Sequence, residues 1–319
     1  MHFERNVLLA LLAAAILLPL MVRDQYLLHL AIMALLYVVL ASSLNLIVGY
    51  IGEFSLGHTA FLGVGAYAAA LLSSRAGLPM WATIPLAGVA SAVFGYVIGA
   101  ITLRLQGPYF VIVTLAFAEV LRIVAGNWVA VTNGPMGLAG ISQGGIADKR
   151  SFFYIILALA ALSLYLCYRF VYSNVGRGAI AIRENRYVAQ SIGVNPFGSA
   201  LRAFVLGAFM AGLAGGFYAH YISFVGPEVF QFAFTASMII MVLIGGKGTL
   251  IGPIIGAVIV TVLEEYLRQA QELRLTLFGL IVILVVMFLP RGLVSLLGAR
   301  REQRGPEVAR IAQAKEGVA

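Results

Sequence analysis

The chain has 319 residues, of which 61% are hydrophobic and only 11% charged, against roughly 25% charged residues in an ordinary soluble domain. That excess of apolar residues needs lipid around it, and no stretch is long and polar enough to make a separate soluble domain. A formal net charge of +8 invites a nucleic-acid reading, but the basic residues border apolar runs and no aromatic-basic groove accompanies them; attraction to anionic lipid headgroups accounts for the charge.

A spanning helix needs about 20 mainly apolar residues. Runs of that kind are read at 6–22, 27–48, 54–73, 80–103, 108–130, 151–172, 198–222, 229–246, 249–265 and 275–297. They lack the alternation of barrel strands, so the fold class is all-α: a polytopic integral membrane protein of about ten transmembrane helices. Residues 1–298 form the transmembrane domain, with a polar segment at 173–197, and 299–319 form a polar tail. The first run ends in Leu18, Pro19, Leu20, Met21 and Val22 before Arg23, with no small-residue cleavage site, and reads as an uncleaved helix rather than a signal peptide. With the amino terminus inside, about fourteen Lys and Arg residues fall on one face and about six on the other. The positive-inside rule then expects both termini and the 173–197 segment in the cytoplasm.

The third run opens on Glu53, Ser55, Gly57, His58 and Thr59, a polar and flexible start that fits a broken or re-entrant segment of the kind transporters use near the midplane. His58 suits either a packing hydrogen bond or a proton relay. In the fifth run Glu119 and Arg122 stand three residues apart on one helix face. Ionisable residues inside a membrane pair with each other or line a polar cavity, so the two form a structural ion pair or a place on the substrate path. The loop 131–150, rich in Gly and opening on Thr132, Asn133, Gly134 and Pro135, is either a solvated turn, a gate or a landing place for an external protein.

The single cysteine, Cys167, has no partner for an intramolecular disulfide and suits a structural role. In the polar segment, residues 178–192 read as one short helix that stops at Gly193, while Asn195 and Pro196 cap and start the next helix. Its charges, Arg183, Glu184 and Arg186, face either lipid headgroups or a cytoplasmic partner. Small residues at Gly95–Gly99 and Gly248–Gly252–Gly256 read as packing seams. The run Gly245-Gly246-Lys247-Gly248-Thr249 lacks the earlier glycine and the Lys-Ser/Thr pair of a phosphate-binding loop. The histidines at 2, 29, 58 and 220 are too scattered for a metal cluster.

Several long motifs in order resemble one family. They are LNLIVGYIGEFSLGHTAFLGVGAYAAALL at 44–72, GPYFVIVTLAFAEVLRIV at 107–124, TNGPMGL at 132–138, IRENRYVAQSIGVNPFGSALRAFVLGAFMAGLAGGFYAHY at 182–221 and VGPEVFQFAFTASMIIMVLIGGKGTLIGPIIGA at 225–257. The chain resembles the permease subunits of branched-chain amino acid ABC importers of the bacterial inner membrane. That resemblance implies a related second permease in a heterodimer, two ATPase subunits that carry the ATP and magnesium, and an external solute-binding protein; this chain would bind no cofactor and have no ATPase site of its own. It also implies that the segment through Arg183, Glu184, Asn185 and Arg186 to Gly193 is the helix that couples to the ATPase. Glu53 and Arg202 depart from the pattern, where glutamine and lysine are frequent. Relatives in the same family import urea, short amides or sugars. The main rival is a proton-coupled secondary carrier using Glu119, Arg122, Glu53 and His58 as a relay. Glu119, Arg122, Ser55 and His58 are the polar candidates for a substrate path.

Overall fold

The computed structural model describes residues 2–21, 24–146 and 148–268, with isolated positions at 279, 283, 287 and 292–294. A helix stands at each span read from the sequence up to 249–265. The tenth run, 275–297, lies almost wholly outside the described residues, and the tail 299–319 lies wholly outside them. In chain order the helices are α1 (His2–Met21), α2 (Gln25–Asn45), α3 (Thr59–Ala76), α4 (Met80–Thr102), α5 (Pro108–Asn127), the single turn α6 (Val129–Thr132), α7 (Lys149–Val171), α8 (Asn174–Glu184), α9 (Arg186–Ser191), α10 (Pro196–Ile222), α11 (Phe232–Gly245) and α12 (Gly252–Arg268). α2 continues through a π-helical turn, Leu46–Ile51. Among the described residues, five helical stretches are long and apolar enough to cross a membrane: Gln25–Ile51, α4, α5, α7 and α10.

Two parts of the chain follow the same plan. Gln25–Ile51 and Pro196–Ile222 are both 27 residues long. Each leads into chain that is not α-helical, 52–58 in one case and Phe224–Gln231, with its short 3-10 turn Pro227–Phe230, in the other, and then into a shorter helix that starts inside the bundle, α3 or α11. The two long spans run antiparallel, because His29 meets Tyr221 at one end while Ser43 meets Gly207 further along.

α10 is the centre of the packing and is buried along most of its length. Its small residues let neighbours approach: a methyl group on Gly212 would come within 2.4 Å of the Ser91 side chain, and one on Gly215 within 2.1 Å of the Leu62 carbonyl. Inside lipid no hydrophobic force draws helices together, so close approach of small residues does the work. The expected Gly95–Gly99 seam is part of this contact and faces Ala208 and Phe204 of α10. The other expected seam is divided: Gly252 and Gly256 pack on Gly245 and Met241 of α11, whereas Gly248 lies in the turn before α12 with φ +72. Cys167 is buried against the Ser42 carbonyl and Met210.

The loop at 131–150 is held down rather than loose. Leu138–Ala139 (β1) pairs antiparallel with Phe224–Val225 (β2), and the Ser142 carbonyl meets His220 Nδ1 at 2.6 Å. Arg75, at the end of α3, donates to the Ala130 and Val131 carbonyls. This loop therefore fixes the entrance of the second helix break.

Replacing Gly215 by valine is expected to prevent recovery of folded protein, because backbone atoms of α3 stand where the side chain must go. Gly126→Ala, whose nearest neighbour would be 3.9 Å away, is expected to elute from size exclusion as the wild type does.

Candidate functional site: two helix breaks and a bridged polar segment

Non-helical backbone at membrane depth survives only where protein buries it or it lines a cavity. Both breaks meet that condition. Leu56 N–H donates to Thr114 Oγ1 at 3.2 Å, and Gly57 lies against the Thr114 carbonyl so closely that a Cβ would be 2.0 Å away. At the far end of the break Thr59 donates to the Phe230 carbonyl at 3.3 Å, and Thr235 donates to Thr59 at 3.1 Å. The first turns of α3 and α11, one from each half, thus meet at one point, and their positive dipole ends converge there.

Of the sequence candidates, Ser55 and His58 are fully buried in this break. His58 Nε2 lies 2.7 Å from Ser43 Oγ, while Ser55 Oγ and His58 Nδ1 have no hydrogen-bond partner among the described residues. Glu53 accepts a 3.3 Å hydrogen bond from Gly107 N–H. Glu119 and Arg122 form a bidentate pair at 2.5–2.9 Å, and their side chains remain 48% and 40% exposed. Glu119 and Arg122 are the twelfth and fifteenth of the 20 residues of α5, the first of them close to its middle. Ionisable residues so placed pair with each other or line a polar cavity, and here the two pair with each other. No hydrogen-bonded chain among the described residues joins Glu53, His58 and Glu119, so the structure does not assemble them into one relay.

The polar segment at 173–197 differs from the sequence reading in one respect. The single helix expected over 178–192 is two helices, α8 and α9, parted at Asn185, which is extended (φ −160, ψ 113). Its side chain accepts from Tyr187 N–H and Val188 N–H, so the residue that ends one helix caps the next. Gly193 (φ +84) ends the segment and Asn195 caps α10 with Pro196 at its first position, as the sequence predicts.

Arg183 also differs: its guanidinium turns inward. It donates to the Gly49 carbonyl at 2.8 Å and to Glu184 at 2.7 Å, its stem lies against Gly52 and its guanidinium against Gly248. Asn45 extends the bridge, accepting from Gly248 N–H at 2.9 Å and donating to the Thr249 carbonyl at 2.8 Å. Gly49 is needed there, since a Cβ would be 2.4 Å from Gly248 nitrogen. One network therefore joins α8, the π-helical end of α2 and the turn between α11 and α12. Facing outward on α9 and just after it, Tyr187, Val188 and Ile192 are strongly exposed, Tyr187 to 81%. Sequence reading found the charges of this segment and missed these three, because their apolar character matched the flanking spans.

A bundle of apolar helices with two paired breaks, a buried polar node and a rigid segment bridged to both halves is a membrane permease. The sequence matches the family described as "Branched-chain amino acid transport system / permease component" over residues 26–288, and the chain belongs to that family. It is 34% identical to the high-affinity branched-chain amino acid transport system permease protein LivM of Salmonella typhimurium, over 92% of this chain and 75% of that protein. It is 33% identical to LivM of Escherichia coli K12 over the same shares. To LivH of Salmonella typhimurium it is 25% identical, over 81% of this chain and 91% of that protein. No solved structure matches.

Asn45→Ala is expected to leave Gly248 N–H and the Thr249 carbonyl unpaired, at a cost of about 1–3 kcal/mol where such groups are buried. Amide exchange at Gly248 should accelerate while exchange in the middle of α10 stays slow, as measured by hydrogen–deuterium exchange.

Proposed function

We propose that this chain is one permease subunit of an ATP-driven importer for branched-chain amino acids in a bacterial inner membrane, with both termini in the cytoplasm. The transmembrane domain, 1–298, works with a related second permease, two ATPase subunits that hold ATP and magnesium, and an external solute-binding protein. Similarity to both LivM and LivH supports a pair of related permeases.

The observation that carries the reading is the α8–α9 pair. It offers Tyr187, Val188 and Ile192 outward beside Glu184, while Arg183 on its inner side grips Gly49. An exposed apolar patch of this kind marks an interaction surface. A partner that seats on α9 and moves would pull on α2 and on the α11–α12 turn together, which are the parts next to the two breaks. Alternating access then follows as re-packing of α2 and α10 around the point where α3 and α11 start. Arg183 and Asn45 are the bridge; Glu184, Asn185, Arg186 and Gly193 shape and cap the segment.

Two variants separate docking from transmission. Tyr187→Asp is expected to weaken capture of the ATPase by about 2 kcal/mol or more, as loss of a central aromatic anchor does, read as ATPase lost from the complex purified in mild detergent. Arg183→Gln is expected to keep the ATPase bound and lower amino-acid uptake per ATP hydrolysed. Normal coupling in Arg183→Gln would defeat the bridge. An active chain that purifies with no ATPase and whose uptake collapses with a protonophore would establish a proton-coupled carrier instead.

A further inference from the structure

Between α8 and the start of α10 lies a cavity of about 430 Å3 that neither the helix breaks nor the Arg183 bridge uses. Sites for small molecules run from about 300 to 1,000 Å3. Two arginines line it from two different elements, Arg177 from the first turn of α8 and Arg202 from the second turn of α10. No acidic residue lines it, and the acid at the end of α8, Glu184, is already held by Arg183.

The donors of this cavity are not used up by the protein. Arg202 is exposed and makes no hydrogen bond or ion pair among the described residues. Arg177 is steered by the Asn174 side chain and, at 3.5 Å, by the Tyr172 carbonyl, and its Nε makes no hydrogen bond among the described residues. Ser199, also in the lining, is only 9% exposed, and its hydroxyl has no partner among the described residues. A buried hydroxyl left without a protein partner calls for a ligand or water in the space it faces. The floor is closed where α8 meets α10: a Cβ on Gly178 would come within 3.4 Å of Ser199 Oγ. α10, 27 residues long, brings the positive end of its dipole to the same place.

The cavity sits at the level where spans leave the membrane. α7 ends at Val171 and α10 begins at Pro196, and both are long and apolar enough to cross. The end of α7 carries Tyr168, Arg169 and, just after it, Tyr172, the aromatic and basic anchors of a headgroup layer. Part of the cavity wall is apolar, with Val175 and a strongly exposed Ile192.

We propose that this cavity binds the phosphate of an anionic membrane lipid. Arg177 and Arg202 hold its oxygens, Ser199 donates from the buried wall, and Val175 and Ile192 lie against the glycerol and the head of an acyl chain. A planar guanidinium fork matches two phosphate oxygens, and basic pockets between helices at the membrane surface suit such headgroups. Free phosphate would meet the same donors, but the level of the cavity and its apolar wall select a lipid. A lipid so held ties α8 to α10 at a place separate from the Arg183–Gly49 bond, whether or not the chain imports amino acids.

The test uses the full-length protein, purified with the subunits that accompany it, in phosphatidylcholine nanodiscs. The probe is phosphatidylglycerol with a photoreactive diazirine at the top of one acyl chain. Illumination is expected to label peptides covering 174–181 or 192–202, and unlabelled phosphatidylglycerol should prevent it while inorganic phosphate should not. Arg177→Gln with Arg202→Gln, checked for unchanged elution from size exclusion, should lower labelling about tenfold or more. Ser199→Ala should lower it about two- to tenfold, as loss of one neutral donor does. Equal labelling in the double variant, or labelling confined to other peptides, would overturn the site. Displacement by inorganic phosphate alone would overturn the lipid as its occupant. Unchanged labelling with the ATPase lost from the double variant would assign the two arginines to that partner and overturn the proposal.

Discussion

In lipid a backbone amide or carbonyl has no water to turn to, and every break in a spanning helix must find protein partners for the groups it frees. The structure meets this demand by placing its two breaks together. Chain 52–58 leans on Thr114 of α5, and Phe230, at the end of the other break, gives its carbonyl to Thr59. Much else follows from that arrangement. α3 and α11 start inside the bundle, α10 must carry small residues so that α3 and α4 can close over it, and β1 must hold the entrance of the second break.

The same arrangement makes the bundle able to respond. A helix end held by a few side-chain hydrogen bonds re-packs at less cost than an uninterrupted helix, and the parts nearest the breaks are the parts tied to α8. Arg183 reaches Gly49 from one side and Asn45 reaches Gly248 and Thr249 from the other. Glu119, Arg122 and Glu228 take no part in this bridge.

Residue patterns made much of this legible. Long apolar runs announced the spans, and the polar start at Glu53–Thr59 announced the broken segment, because polar and glycine residues inside an apolar run signal backbone that is not helical. Asn195-Pro196 announced the start of α10 for an equally local reason. The split of the helix expected over 178–192 was not visible, since Asn185 is compatible with a helix interior and its role as a cap depends on the extended backbone it adopts. The inward turn of Arg183 was equally hidden. Beside Glu184 it looks like a surface charge, and only the approach of Gly49 and Gly248 gives it a carbonyl to hold.

By itself, then, the sequence determined an all-α membrane protein, its family, the order of its spans and the position of its first break, since each depends on composition or on contacts between near neighbours along the chain. Only the tertiary structure decided that the second break at Phe224–Gln231 meets the first and that α8 is bridged to α2. Those relations join residues 134 to 176 positions apart, and no local pattern encodes a distance that appears only once the helices have packed.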